Sequence, residues 1–156
     1  GIYGVDIDED FFFRLGYAFV KVTEKKRIAL GYDARLSSKA LKDAFIRGAS
    51  LAGAMIIDIG LCSSDMLSFA TCHYDDVEAG GMITASHNPK EYNGFKSLAH
   101  SAEPYNLKKY GPVMVEIMQS LEIPAGEIVQ NIEYRDVSDD WVNHIAQFVG
   151  DDVDFS

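Results

Sequence analysis

The chain has 156 residues, of which 47% are hydrophobic, and a formal net charge of −10 at pH 7. This length predicts about one domain with a packed core, and the negative charge argues against a general binder of nucleic acid or anionic membranes. Because no run reaches the roughly 18 apolar residues of a membrane span and no basic and apolar leader opens the sequence, we expect a cytoplasmic enzyme.

The first predicted element is an amphipathic helix over residues 8 to about 22. Apolar residues between Phe12 and Phe19 recur at the spacing of one helical face. The aspartates from Asp6 to Asp10 alternate along the chain at the start of this helix, as in some metal-binding loops. Acidic residues in the first turn of a helix interact favourably with its dipole and stabilise the helix. We favour this interpretation over a metal site.

Short apolar runs predict three buried strands, over residues 27–32, 54–60 and 80–83, with helices between them. Strands that alternate with helices indicate βαβ units with right-handed crossovers. The sequence therefore predicts an α/β fold, a three-layer α/β/α sandwich with a mainly parallel, mixed sheet. Residues 93 to about 99 are expected to add a further strand, antiparallel to its neighbour.

Serines after the first two strands are predicted to cap the helices that follow. Either Ser37 or Ser38 would cap the first of these helices, and Ser63 or Ser64 the second, by accepting a hydrogen bond from a free backbone N–H. The last third of the chain shows a weaker pattern.

In that last third, a helical stripe runs from Tyr110 to Leu121, with Pro112 tolerable only near the first turn. Residues 127 to about 136 are interpreted as a connector. Ser138 is then predicted to cap a helix that extends through Val149, before the acidic segment 151–154.

Two cysteines and one histidine are interpreted as structural. Cys62 and Cys72 stand in apolar surroundings without the C-x-x-C spacing of a metal or redox site, so both are predicted to be buried thiols. His73 continues an apolar helical stripe, and we leave it out of the site.

The most informative stretch is Thr84-Ala85-Ser86-His87-Asn88-Pro89, which follows the third strand. In open α/β sheets the loops at the carboxyl ends of strands carry the chemistry. Ser86 has a histidine beside it, a proline that stiffens the loop, and Lys96 within reach of the same sheet edge. This arrangement suits phosphoryl chemistry; an Asn-Pro turn without chemical function is the alternative.

Arg35 lies in a second polar loop, after the first strand. It could bind a phosphate group, or it could pair with Asp33 to brace the loop, since a loop arginine at a strand end can serve either role. The sequence leaves both roles open.

Three motifs in order carry a family resemblance: Gly1-Ile2-Tyr3-Gly4, the segment from Gly31 to Ser38 that reads G-Y-D-A-R-L-S-S, and T-A-S-H-N-P followed by Tyr92-Asn93-Gly94-Phe95-Lys96. Together they resemble the phosphohexomutases, the family of phosphomannomutase and phosphoglucomutase. The resemblance covers most of residues 1 to about 135.

The resemblance implies a mutase mechanism. Ser86 would be phosphorylated in the resting enzyme and would give its phosphoryl group to a hexose 1- or 6-phosphate, with a hexose 1,6-bisphosphate as intermediate and activator. His87 and Lys96 would surround the transferring group, and Asn88 would orient the loop. Mg²⁺ would bind through the Ser86 phosphoryl group, with its aspartate ligands outside this chain.

The resemblance also implies an incomplete enzyme. Residues 1–135 would form domain one, and residues 136–156 a connector and the first helix of a truncated second domain. The glycine-spaced aspartate loop, the sugar-recognition loop and the carboxyl-terminal phosphate-binding loop have no counterpart here. We therefore expect a fragment that is inactive alone, whose partners are a phosphosugar and the remaining domains, and which could self-associate through uncovered apolar surface.

Other functions compete with a mannose or glucose phosphate mutase. Phosphoglucosamine mutase is one alternative, because the residues that read the sugar lie outside this chain. A non-catalytic binding or assembly module of the same fold is a further alternative. A hydrolase that pairs Ser86 with His87 is disfavoured, since adjacent side chains on an extended segment point to opposite faces and no G-x-S-x-G elbow is present.

Overall fold

The computed structural model describes residues 1–148, which form one sheet flanked by helices. The strands are β1 (Arg27–Tyr32), β2 (Met55–Leu61), β3 (Ala79–Ile83), β4 (Phe95–Ala99) and β5 (Ile132–Tyr134). The helices are α1 (Glu9–Thr23), α2 (Ser38–Leu51), α3 (Ser64–His73), α4 (Leu107–Ser120) and α5 (Ser138–Ala146). Helix α5 ends at Ala146, three residues before the predicted end at Val149. Val149 itself and the acidic segment 151–154 lie outside the described residues.

The sheet confirms the predicted fold class. Its strand order is β4-β3-β1-β2-β5, with β1 at the centre. β1 runs parallel to β2 and β3, and β5 runs parallel to β2. β4 is antiparallel to β3, as the sequence predicted. Because β1 and β3 are parallel neighbours, the loops that follow them leave the same edge of the sheet.

Apolar cores lie on both faces of the sheet. Ile28 and Leu30 of β1 belong to the core that α1, α2 and α4 form, whereas Ala29 between them belongs to the core under α3. This follows from the alternation of side chains along a strand. The contact between α1 and α2 is close, because a Cβ at Gly48 would lie 1.8 Å from the carbonyl oxygen of Phe13.

Helix α4 begins earlier than predicted. It starts at Leu107 rather than at Tyr110, because the Asn106 side chain caps it and accepts a hydrogen bond from the Lys108 N–H at 3.1 Å. Pro112 therefore lies in the second turn, not the first. The missing N–H of a proline at that position removes one hydrogen bond from the helix.

The segment 127–136 is not merely a connector, because it contains strand β5. A strand of three residues is too short to reveal an alternating apolar pattern in the sequence. β5 pairs with β2, and ion pairs connect it to other segments: Arg135 Nη2 lies 2.8 Å from Asp76 Oδ2 before β3, and Arg27 Nη2 of β1 lies 3.0 Å from Glu133 Oε2.

The predicted helix caps are partly correct. Ser63 caps α3, since its hydroxyl oxygen accepts a hydrogen bond from the Met66 N–H at 3.2 Å. Ser37 precedes α2, but its side chain makes no capping hydrogen bond. Ser138 is the first residue of α5 and not its cap; instead its N–H donates to Asp136 Oδ1 at 2.9 Å.

The structure corrects the interpretation of one cysteine. Cys72 is exposed, because apolar neighbours in sequence do not decide which face of α3 a residue occupies. Cys62 is half-buried, and burial raises the pKa of its thiol to about 11. His73 stacks on Phe69 of the same helix, with ring centroids 4.5 Å apart. Phe69 also contacts an aromatic ring of α5.

The aspartates before α1 have a structural role. Asp8 caps this helix, and its Oδ1 accepts a hydrogen bond from the Phe11 N–H at 2.8 Å.

Within residues 1–148, none of the helices has the length and apolar content that a bilayer crossing requires.

Candidate active site

Two loops meet at the carboxyl edge of the sheet. Tyr32 and Ile83 are register partners at the ends of β1 and β3, so the chain leaves both strands at adjacent points. The Asp33 N–H donates to the Ile83 carbonyl at 3.1 Å, and the Thr84 hydroxyl donates to Asp33 Oδ2 at 2.7 Å. The arginine loop, residues 33–37, and the serine loop, residues 84–94, therefore form one connected unit.

Ser86 is exposed at the tip of this unit and has a left-handed backbone, with φ of 59°. A non-glycine residue in this region is uncommon, and such strain clusters at functional sites. The Ser86 N–H donates to Thr84 Oγ1 at 2.9 Å.

Lys96 is brought to Ser86 by strand pairing. It lies on β4 opposite Met82 of β3, and its Nζ donates to Ser86 Oγ at 3.3 Å. An ammonium group at this distance can neutralise negative charge that develops on the serine oxygen. The structure thus brings together Ser86 and Lys96, which the sequence predicted to lie at the same sheet edge.

The structure does not place His87 and Asn88 in that contact. Both side chains are exposed, and among the described residues the His87 ring makes no hydrogen bond. The Asn88 backbone takes part in loop structure, since its N–H donates to the Ala85 carbonyl at 3.1 Å. A hydrolase pair between Ser86 and His87 is not formed, because such a pair requires hydrogen-bond contact between nucleophile and base.

Arg35 braces the serine loop. Its Nη1 donates to the carbonyls of Pro89 (2.6 Å) and Tyr92 (3.0 Å), and its Nη2 donates to those of Ser86 (2.9 Å) and Asn88 (2.7 Å). Its Nε donates to Asp33, the partner expected of a bracing arginine. A guanidinium group has five N–H donors, so none of them remains free for a phosphate group.

Asp33 links the two loops electrostatically. Its carboxylate accepts hydrogen bonds from the Thr84 hydroxyl at 2.7 Å, the Ser38 hydroxyl at 2.6 Å and Arg35 Nε at 3.0 Å. Burial raises the pKa of Asp33, but the hydrogen bonds from Ser38, Thr84 and Arg35 lower it more, and the net shift is downward. Asp33 therefore stays ionised at neutral pH.

The buried side-chain amide of Asn93 also connects the serine loop to the arginine loop, and the sequence analysis did not identify it. Asn93 is 1% exposed, and its Nδ2 donates to the hydroxyls of Ser37 and Ser38, both at 2.9 Å. Thr84 was missed as well. Both lie inside the motifs that carried the family resemblance, but their contacts join segments far apart in sequence, which no local pattern reports.

A depression of about 850 Å³ lies on the flank of the serine loop. Asn88, Lys90 and Glu91 line it from the serine loop, and Leu36 lines it from the arginine loop. Ser86 and Lys96 do not line it, so it is a groove beside these two residues and not a pocket around them.

The described residues do not form a metal site by themselves. Within residues 1–148, no group of three histidine, cysteine, aspartate or glutamate side chains could hold a metal ion. The Asp33 carboxylate beside the serine loop is committed to its hydrogen bonds with Arg35 and Thr84. Mg²⁺ prefers oxygen ligands and is usually held through one or two carboxylates and a phosphate.

Comparison with known proteins identifies the family. Residues 1–115 match the model described as phosphoglucomutase/phosphomannomutase, alpha/beta/alpha domain I. The phosphomannomutase of Escherichia coli K12 is 31% identical over 151 residues, which cover 96% of this chain and 33% of that protein. The phosphohexose mutases of Xanthomonas campestris (strain B100) are 41% identical over 100 residues, which cover 64% of this chain and 22% of that protein.

Solved structures agree. A phosphoglucomutase/phosphomannomutase family protein from Burkholderia thailandensis superimposes with a TM-score of 0.77 at 26% identity, over 94% of this chain and 33% of that one. A chain from Thermus thermophilus shares the fold, with a TM-score of 0.80 at 20% identity, over 96% of this chain and 34% of that one. The chain spans about one third of the length of these relatives. Its fold, its sequence and its serine loop thus agree in one assignment: the chain belongs to the phosphoglucomutase/phosphomannomutase family and corresponds over residues 1–115 to domain I.

Proposed function

We propose that this chain is the phosphoserine domain of a hexose-phosphate mutase, an isomerase that interconverts hexose 6-phosphate and hexose 1-phosphate through a 1,6-bisphosphate. Ser86 is the phosphoryl carrier. The observation that supports this most directly is the contact of 3.3 Å between Lys96 Nζ and Ser86 Oγ, at the tip of a loop that Arg35 braces.

The chemistry assigned to these residues is a pair of phosphoryl transfers. In the first, a hydroxyl oxygen of the hexose monophosphate bonds to the phosphorus on Ser86, and the bond from phosphorus to Ser86 Oγ breaks. Lys96 gives a proton to the departing serine oxygen, which makes it a better leaving group. In the second, Ser86 Oγ attacks the other phosphorus of the reoriented bisphosphate and returns its proton to Lys96, while the bond from that phosphorus to the sugar oxygen breaks. That sugar oxygen takes up a proton from solvent, which balances the proton that the sugar hydroxyl released to solvent in the first transfer.

Other site residues have supporting roles in this proposal. His87 and Asn88 are exposed beside Ser86 and would contact the phosphosugar once it is bound. Arg35, considered from the sequence as a phosphate ligand, acts on the loop instead, because its donors are already used. A phosphoserine carries about −1.5 to −2 charges near neutral pH, which Lys96 alone does not balance.

Mg²⁺ would supply the remaining positive charge. It would bind the phosphoryl oxygens of Ser86, and its carboxylate ligands would come from outside residues 1–148, within which no group of three histidine, cysteine, aspartate or glutamate side chains could hold a metal ion. Because relatives are named phosphomannomutase, we propose mannose phosphate as a substrate of the whole enzyme, with glucose phosphate as a second substrate and glucosamine phosphate as the alternative. Hexose 1,6-bisphosphate is the activator that would load Ser86.

A chimera tests this function. In it, this chain replaces the matched third of the E. coli phosphomannomutase, and the relative supplies the other two thirds. We expect conversion of mannose 1-phosphate to mannose 6-phosphate that is lost in the Ser86→Ala variant. Equal turnover in the chimera with and without the Ser86 hydroxyl would contradict the proposal.

A further inference from the structure

We infer that Arg35 is a positioning residue for phosphoryl transfer, which holds Ser86 in its left-handed conformation against Lys96. This inference rests on the proposed function only in naming Ser86 as the reacting group. Arg35 itself touches the backbone of the serine loop and not the position of a substrate.

The guanidinium group of Arg35 donates the hydrogen bonds that carbonyls of the serine loop would accept from backbone N–H groups in a helix or sheet. Four loop carbonyls, those of Ser86, Asn88, Pro89 and Tyr92, converge on its two terminal nitrogens, at 2.6 to 3.0 Å. A loop outside any strand ladder has to satisfy such carbonyls with side chains or water. The side chain of Arg35 is only 12% exposed, so it acts as the internal scaffold of the loop.

Asp33 fixes Arg35 and Ser86 at the same time. Its carboxylate accepts a hydrogen bond from the backbone N–H of Arg35 at 3.2 Å and another from Arg35 Nε at 3.0 Å. The second bond orients the plane of the guanidinium group. The carboxylate also accepts from the Thr84 hydroxyl, and Thr84 Oγ1 in turn accepts the Ser86 N–H. Ser86 is thus held through its carbonyl by Arg35 and through its N–H by Thr84.

These contacts explain how the strained backbone of Ser86 persists. Its φ of 59° is unfavourable for a residue with a side chain, and such conformations survive where surrounding contacts over-determine them. A lysine could not replace Arg35, because an ammonium group has three donors and cannot satisfy four carbonyls and a carboxylate together. We therefore expect Arg35→Lys to release the serine loop although the positive charge is kept.

A thiol at the position of Ser86 reports this positioning without any phosphate or sugar. The background is Ser86→Cys with Cys62→Ala and Cys72→Ser, so that the introduced thiol is the single one in the sequence. Its pKa is measured from the rate of alkylation by iodoacetamide against pH. With Lys96 at 3.3 Å from the replaced oxygen, the pKa should lie below the ordinary value of about 8.5.

Adding Arg35→Lys should raise the pKa of this thiol and slow its alkylation at pH 7 several-fold, because the released loop moves away from Lys96. Lys96→Met should raise the pKa as well, since it removes the cation. Arg14→Lys is the matched control: Arg14 also donates to backbone carbonyls, those of Met118 and Leu121, but these lie outside the serine loop, so the thiol pKa should not change.

Thermal unfolding is followed in every variant, so that loss of fold is not mistaken for loss of position. If Arg35→Lys does not fold, Thr84→Val takes its place, because it removes the bond to the Ser86 N–H with little change of shape and should raise the thiol pKa in the same direction. An unchanged thiol pKa in the folded variant would overturn the inference, including the case in which Lys96→Met also leaves it unchanged. Because no phosphate or sugar enters, this result is independent of whether the proposed mutase function fails.

Discussion

Asp33 is the residue whose ionisation the serine loop depends on. Its folded pKa lies below the ordinary value of 3.8, so the unfolded chain binds a proton at Asp33 before the folded chain does. The stabilisation from this carboxylate is therefore fully present above the unfolded pKa and is lost as the pH falls through the folded pKa.

We expect the difference in free energy of unfolding between the natural chain and Asp33→Asn to be largest above about pH 5 and to shrink from about pH 4 downward. Urea unfolding at a series of pH values measures it. Ile28→Val is the control, because it shortens a fully buried side chain that does not ionise, and its cost of about 0.5–1.5 kcal/mol should be the same at each pH. A difference for Asp33→Asn that is constant from about pH 3 to about pH 7 would contradict this account.

At this scale the sequence predicted part of the site. The motif around Ser86 and the later Lys96 identified a pair that the structure brings to 3.3 Å. The role of Arg35 stayed open between phosphate binding and bracing, because the same residue type serves both. Its four carbonyl partners lie in a distant part of the sequence, and only the folded sheet brings them together.

The contact between helices α1 and α2 depends on glycine. A Cβ added at Gly48 would lie 1.8 Å from the carbonyl oxygen of Phe13, and the backbone there cannot move aside as a flexible side chain would. We expect Gly48→Ala to lower the free energy of unfolding by about 3 kcal/mol. Chemical denaturation followed by circular dichroism measures the change.

Gly111 in α4 provides the matched control, because a Cβ there would meet no atom within 4 Å apart from its chain neighbours and its own helix backbone. Gly111→Ala should change the free energy of unfolding by less than about 1 kcal/mol, since the helical preference of alanine and the restriction that Pro112 places on the residue before it oppose each other. If Gly48→Ala were as stable as Gly111→Ala, the two helices would not be packed as described.

Long helices and strands with a clear apolar period were predictable from the sequence, whereas the short strand β5 and the start of α4 were not. The apolar spacing located α1, α2 and the three central strands close to their observed bounds. β5 was missed, because a strand of three residues is specified by pairing with β2 and by the ion pairs of Arg135, not by a pattern. The start of α4 was misplaced, because the cap at Asn106 was overlooked.

For the whole molecule, the chain alone should not turn over substrate. It matches one third of the length of its relatives, and the described residues supply Ser86 and Lys96 but no set of carboxylates for Mg²⁺. We expect no appreciable interconversion of mannose 1-phosphate and mannose 6-phosphate by the 156-residue chain. Turnover that disappears in Ser86→Ala would contradict this expectation and show that the chain is sufficient.

The central claim is that Ser86 carries the phosphoryl group, and phosphate mapping tests it most directly. The chimera with the E. coli phosphomannomutase is incubated with glucose 1,6-bisphosphate and Mg²⁺, and its intact mass and tryptic peptides are compared with those of Ser86→Ala. We predict one added phosphate, located at Ser86 and absent from the variant. A phosphate on another residue, equal labelling of the variant, or no label in a chimera that turns over substrate would contradict the account.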